Sequence, residues 1–137
     1  MSQRLFFYGV LREGVGDWPF LTGLGLGSPA SVTGALYAIR DEGGWYPALV
    51  LTQARYSSAV HGTLHEAGTV DVSAVDAFEG AAYARQPIAV DGWDGFGDTT
   101  ADAYVWTGEL PPGAQRIAHG DFVEWLRETG NAAYSGD

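Results

Sequence analysis

A chain of 137 residues with 46% apolar and 18% charged residues has the composition of one folded domain, too short for a separate cofactor-binding unit and too apolar for disorder. Its formal net charge of −10 would repel a nucleic-acid backbone or an anionic membrane unless the cations clustered, and the 7 arginines are scattered with no lysine among them. The lack of cysteine excludes disulfides, thiolate nucleophiles and Cys-based zinc sites, and the lack of a long apolar run or a signal-peptide pattern leads to the expectation of a cytoplasmic protein.

Leu5 to Tyr8 reads as a buried strand, because a short apolar run rich in aromatics and closed by a turn residue fits a strand covered on both faces. Gly9 follows directly. Lacking a Cβ, it would let a ligand approach the main chain, so that the N–H groups of Gly9, Val10 and Leu11 line a small polar pocket; an ordinary strand-ending turn fits the same residues. Gly14 to Pro29 is rich in glycine and is broken by Trp18-Pro19-Phe20-Leu21, a pattern of a loop around a short apolar turn folded back on the core. Its Gly23-Leu24-Gly25-Leu26-Gly27 run lacks the G-x-G-x-x-G spacing of a phosphate cradle, so packing and turn chemistry account for it better.

Thr33 to Ile39 and Trp45 to Leu51 are strands, joined through Asp41-Glu42-Gly43-Gly44 as a hairpin. In the next strand, Ala59 to Leu64, the alternation puts Val60, Gly62 and Leu64 on one face and His61, Thr63 and His65 on the other. Histidines four apart suit zinc on a helix, but on a strand they stand roughly 13 Å apart and no third ligand is evident, so solvated or hydrogen-bonded histidines are expected and no metal.

Val70 to Phe78 is predicted as a helix, started by Asp71 or Ser73 and stopped by Gly80, with Val72, Val75 and Phe78 as its apolar contacts. Tyr83 to Val90 returns as a strand whose Pro87 belongs at an edge or a bulge. Asp91 to Thr99 forms a turn region whose Asp91, Asp94 and Asp98 do not match a calcium loop. Ala101 to Trp106 alternates as a strand, with Ala101, Ala103 and Val105 opposite Asp102, Tyr104 and Trp106, and Pro111-Pro112-Gly113 ends it. Asp121 to Glu124 resembles a capping box for a closing helix with Phe122, Trp125, Leu126 and Thr129 as its inner stripe and Gly130 as its stop. The sum is an α+β fold with a six-stranded β core and two flanking helices, a single domain over residues 1–130 and a flexible tail over 131–137.

Glu79 stands out chemically. Val72, Val75 and Glu79 follow one helical face, which puts a carboxylate in line with residues that face the core. Unpaired carbonyls at the helix end, partial burial, and Asp76 one turn earlier all disfavour its ionised form, and a carboxylate tuned toward neutrality is what a general acid/base needs. A Glu79 turned outward or paired with Arg85 satisfies the same sequence.

Tyr8-Gly9-Val10-Leu11, the segment Gly44-Trp45-Tyr46-Pro47-Ala48-Leu49-Val50, and Asp76-Ala77-Phe78-Glu79-Gly80 followed by Tyr83-Ala84-Arg85 together resemble the gamma-glutamylcyclotransferase-like family, in the family's order and spacing and over most of the chain. The resemblance implies a barrel-like six-stranded core and an intramolecular transfer: the α-amine of a small gamma-glutamyl compound attacks its own γ-carbonyl and 5-oxoproline leaves, without metal or cofactor. It implies Glu79 as the catalytic acid/base and Tyr8, Gly9, Val10 and Leu11 as the cradle of the glutamyl portion. Tyr46, Tyr83 and Arg85 are further candidates to shape the site, with core packing and a surface ion pair as the competing roles of Tyr83 and Arg85. Two positions depart from the family pattern: Val10 replaces its usual Thr or Ser, and Ala81 stands where many members carry tyrosine. A non-catalytic binding or interaction protein with the same pocket is the alternative, whereas a serine hydrolase lacks its G-x-S-x-G. The leaving amine or amino acid and the oligomeric state stay open.

Overall fold

The computed structural model of the chain describes residues 3–12, 18–92 and 99–134. Among them the strands and helices run β1 (Arg4–Phe7), β2 (Ser28–Asp41), β3 (Gly44–Val50), β4 (Ser58–Glu66), α1 (Val72–Glu79), β5 (Tyr83–Gly92), β6 (Thr99–Trp106), β7 (Gln115–Arg116) and α2 (Phe122–Thr129). The fold is α+β, as the sequence led us to expect, with the two-residue β7 added to the six strands. That strand is too short for periodicity to reveal and exists by pairing with Tyr37 and Ala38 of β2.

One mixed sheet has the order β1-β4-β2-β3-β6-β5 with β7 attached to β2. The long β2 is its spine, pairing β4 through Ser28–Gly34 and β3 through Ala35–Asp41. Its polar first turn of chain, including Pro29, has little strand propensity, and the ladder with β4 holds it extended five residues before the expected start at Thr33. The hairpin between β2 and β3 closes at Asp41 opposite Gly44. Parallel contacts Leu5 with Asp102 and Leu49 with Val105, and the pairing of Ala30 and Ser31 with the end of β5, bring distant strands back onto one another and make the sheet barrel-like. Inside lie Leu5 and Phe6 of β1, Leu36, Leu49 and Val60 of the neighbouring strands, and Val75 and Phe122 from the helices. Each fully buried side chain of this kind contributes about 1.5–3 kcal/mol relative to exposure.

The glycine-rich segment packs on the sheet. Gly25 donates its N–H to the carbonyl of Glu66 at 3.0 Å and accepts from the His65 ring at 2.7 Å, so the outer face of β4 is covered there. His65 is consequently buried and also bonded to the Thr63 hydroxyl, whereas His61 is exposed. Gly14 and Gly16, and the Asp94 and Asp98 of the predicted turn region, lie outside the described residues.

Helix α1 starts two residues later than predicted, with Asp71 as its cap, accepting from the Ser73 N–H at 3.0 Å. Helix α2 is capped by Asp121, which accepts from the Glu124 N–H at 3.1 Å, while Glu124 itself turns to Arg127, so one half of the capping box forms. Phe122 and Trp125 of the predicted stripe are buried, but Thr129 is exposed and donates its hydroxyl to the Trp125 carbonyl. The predicted flexible tail is attached through residue 134: Trp45 donates to the Ala132 carbonyl at 2.9 Å and accepts from the Tyr134 N–H at 2.7 Å. Backbone pairing with β3 and the ring of Tyr134 hold a segment whose composition alone reads as frayed. No helix among the described residues is long and apolar enough to cross a membrane.

Candidate active site

The turn after β1, the middle of β3, the end of α1, the facing ends of β5 and β6 and the segment after α2 meet around a cavity of about 190 Å³. The turn is closed by the Arg12 N–H donating to the Gly9 carbonyl at 2.9 Å, and Trp18 fixes it from outside by donating its ring N–H to the Val10 carbonyl at 2.9 Å. Among the described residues none accepts a hydrogen bond from the N–H groups of Gly9, Val10 or Leu11, all three of which line the cavity. Main-chain donors left without a protein partner beside a hollow are available to an anion or a carbonyl oxygen. Gly9 is required for a reason besides ligand approach, since a Cβ there would overlap the ring of buried Pro47.

The pairing of β5 with β6 sets the opposite wall. Tyr83 faces Trp106 and Arg85 faces Tyr104, so these four share one sheet face, over which α1 lies. Asp76 of α1 is clamped to that face: it accepts from the Tyr104 hydroxyl at 2.6 Å and from Arg85 Nε at 2.9 Å, and Arg85 reaches Asp102 with its Nη1 at 2.8 Å. Burial pushes the Asp76 carboxyl up, but the hydrogen bonds from Tyr104 and Arg85 outweigh it and hold it below the usual range. Three residues further, the helix ends at Glu79, because Gly80 takes φ +86°, a conformation an L side chain adopts only with strain.

Glu79 therefore reaches the cavity from the last position of α1, and among the described residues no hydrogen bond or ion pair holds its carboxylate. Arg85, the partner available in the sequence, is spent on Asp76 and Asp102. Burial, and then the charge of Asp76, push the Glu79 carboxyl from 4.5 up to about 8. Such a group is mostly protonated at neutral pH and exchanges its proton there.

Tyrosines form much of the remaining wall. Tyr8 donates to the Tyr104 carbonyl at 2.5 Å and accepts from the Leu49 N–H at 3.1 Å, and burial followed by the charge of Glu79 pushes its hydroxyl well above the usual range. Tyr83 donates to the Pro47 carbonyl at 2.6 Å, and burial raises its hydroxyl as well. Both phenols stay protonated and serve as fixed hydrogen-bonding struts. Tyr46 lies nearer the solvent, its hydroxyl raised by burial, by Asp41 and by Tyr134.

Of the candidates from the sequence, the structure brings Tyr8, Gly9, Val10, Leu11, Tyr46, Glu79 and Tyr83 around the one cavity. Arg85 is not among its lining; it sits in an adjoining depression with Asp76, Gly80 and Ala81, where it orients Asp76. Sequence reasoning missed Tyr104, Trp106 and Tyr134 as lining residues. The first two carried a signal, since the alternation of β6 set them together opposite its alanine face; Tyr134 carried none. Among the described residues no three His, Asp or Glu side chains gather as metal ligands.

A family model described as gamma-glutamyl cyclotransferase, AIG2-like, matches residues 5–125. Among solved structures, YkqA from Bacillus subtilis is similar with TM-score 0.72 and 22% identity over 95% of this chain and 43% of that one. An AIG2-like protein from Mus musculus aligns with TM-score 0.66 and 18% identity over 81% and 80% of the two chains, and the uncharacterized protein PH0828 from Pyrococcus horikoshii with 0.59 and 23% over 94% and 97%. The chain thus spans less than half the length of YkqA. At these identities the likeness is one of fold. No curated protein matches the sequence.

Proposed function

The chain belongs to the AIG2-like gamma-glutamyl cyclotransferase family, and from that premise we propose that it releases 5-oxoproline from a small gamma-glutamyl compound, with Glu79 as general acid/base, in the cytoplasm. The observation that carries the proposal is the meeting, across one small cavity, of a proton-retaining carboxylate and three main-chain N–H groups that have no partner among the described residues.

In this reading the α-carboxylate or the γ-carbonyl oxygen of the glutamyl portion turns to the N–H groups of Gly9, Val10 and Leu11, and the α-ammonium to Glu79. The cation favours the ionised form of Glu79, which then takes one proton and frees the amine lone pair. The amine nitrogen attacks the γ-carbon, and the carbonyl electron pair moves onto oxygen, where N–H donors stabilise it. Collapse restores the carbonyl and breaks the bond to the leaving nitrogen. Two protons pass in total from the attacking to the leaving nitrogen, through Glu79, so the leaving amine departs as an ammonium and Glu79 ends as it began. The nucleophile is tethered to its electrophile, so the protein's task is to fold the substrate and to exclude competing water. Val10 leaves this scheme intact because the contact asked of it is its amide; a contact through a Thr or Ser hydroxyl is lost.

Incubation with a panel of gamma-glutamyl amines and amino acids, followed by chromatography for 5-oxoproline, tests the proposal. Wild type is expected to form it from at least one, and Glu79→Gln to lose about a hundredfold or more in kcat, the usual scale for an acid/base group. Equal rates remove Glu79 from the mechanism, and silence across the panel favours a non-catalytic binding pocket.

A further inference from the structure

The cavity has two unlike ends. Tyr8, Val10 and Leu11 are 5%, 6% and 4% exposed and form the inner end, whereas Tyr46 and Tyr134 are half-buried and Asp41 is exposed at the other. If the inner end holds the glutamyl portion, the outer end receives what leaves. Resting on that reading of the inner end, we propose that Asp41, Tyr46 and Tyr134 form a leaving-group subsite that takes an organic cation and disfavours a carboxylate.

Among the described residues the acidic side chains that line the cavity are Asp41 and Glu79; none of the seven arginines or three histidines, all of them described, lines it, and the chain has no lysine. A carboxylate carried by the leaving group would stand beside two acidic side chains without a counter-ion. An ammonium a few bonds beyond the scissile nitrogen would instead meet Asp41, whose Oδ1 accepts from the Glu42 N–H at 2.6 Å and whose other oxygen has no partner among the described residues. It would also meet aromatic faces, since the rings of Tyr46 and Tyr134 stand edge to face at 6.3 Å and an ammonium over such a ring is attracted by its quadrupole. Tyr134 is held where it is needed. Its backbone and that of Ala132 bracket Trp45, and its ring also lies 6.2 Å from that of Phe78, the neighbour of Glu79. It lies beyond residue 125, where the family match ends, whereas Asp41 and Tyr46 lie within it.

Three substrates of matched chain length separate the charge of the leaving group from its size: the γ-glutamyl amides of 1,4-diaminobutane, of pentylamine and of 4-aminobutanoate. The expected order of kcat/KM is cation, neutral, anion, with roughly three- to tenfold per step, carried by KM and narrowed by added salt. Asp41→Asn and Tyr134→Ala are expected to draw the cationic and neutral substrates together, while Tyr134→Phe, which keeps the aromatic face, retains the order. Product from all three at equal rates, an anion that reacts best, or an order that survives both variants overturns the subsite and leaves the cyclotransferase reading standing. Absence of 5-oxoproline from every member overturns both.

Discussion

Replacing Glu79 with glutamine should make the protein more stable at alkaline pH. In the folded state the Glu79 carboxyl titrates at about 8 against 4.5 for an ordinary glutamate. Between those two values the folded chain keeps a proton that the unfolded chain has released, so folding takes up a proton and stability falls as pH rises, by about 1.36 kcal/mol per unit. Across the interval from 4.5 to about 8 this amounts to about 5 kcal/mol at most. Glutamine has nearly the same shape and no proton to lose, so subtracting wild type from Glu79→Gln isolates this one group. Urea unfolding followed by tryptophan fluorescence at a series of pH values is the assay. The difference should be small near pH ~4.5, grow in favour of the variant through neutrality, and level off above pH ~8.5, where the melting temperatures should differ by on the order of 10 °C. A difference that does not vary with pH would mean that Glu79 is ionised in the cavity like a surface carboxylate, and the acid/base role would lose its physical basis.

The same proton should govern rate: with the ionised carboxylate as the base, kcat/KM is expected to rise with pH along an acid limb set by the free enzyme's value of about 8, and a pH-rate profile flat from 6 to 9 speaks against it. Asp76→Asn removes the charge that adds to burial in raising Glu79, so the acid limb should move to lower pH with Glu79 still present, an outcome a merely structural role of Asp76 does not give. Gly9→Ala drives a methyl into the Pro47 ring and should cost about 1–3 kcal/mol, most of it recovered by adding Pro47→Ala; a double-mutant cycle on the unfolding free energies checks the coupling. Tyr8→Phe leaves the buried Leu49 N–H without its acceptor and should destabilise by about 1–3 kcal/mol in the same assay.

Most of the architecture was legible because each element carries its own local signals. The run Leu5 to Phe7, the hairpin at Asp41 to Gly44, the Asp71 cap with the Gly80 stop, and the strict alternation of β6 each fix an element by its own few residues. What escaped was created by partners distant in sequence. Ser28 to Val32 are extended because β4 lies beside them, and Gln115 and Arg116 are a strand because Tyr37 and Ala38 offer a ladder. Tyr134 joins the wall because Trp45 has a free backbone edge. No property of those residues read alone specifies their place, since tertiary pairing overrides weak propensity.

The candidate site divides in the same way. Glu79 could be singled out from the conflict between a core-facing helical position and a charged side chain, and that conflict needs no partner to be visible. Its resolution did need one: Arg85 stands six residues away in sequence and was available to neutralise Glu79, yet the register of β5 on β6 sets Arg85 beside Tyr104 and across from the Asp76 turn of the helix. Asp76 takes the arginine, stays ionised, and stands one turn before Glu79 as a fixed negative charge. The pair that would have quenched the carboxylate thus becomes the pair that keeps it protonated, so the D-x-x-E spacing on α1 and the Y-x-R spacing on β5 act as a single device. Shifting β5 by one residue would turn Arg85 to the opposite face and remove the clamp from Asp76 while leaving every motif in the sequence intact.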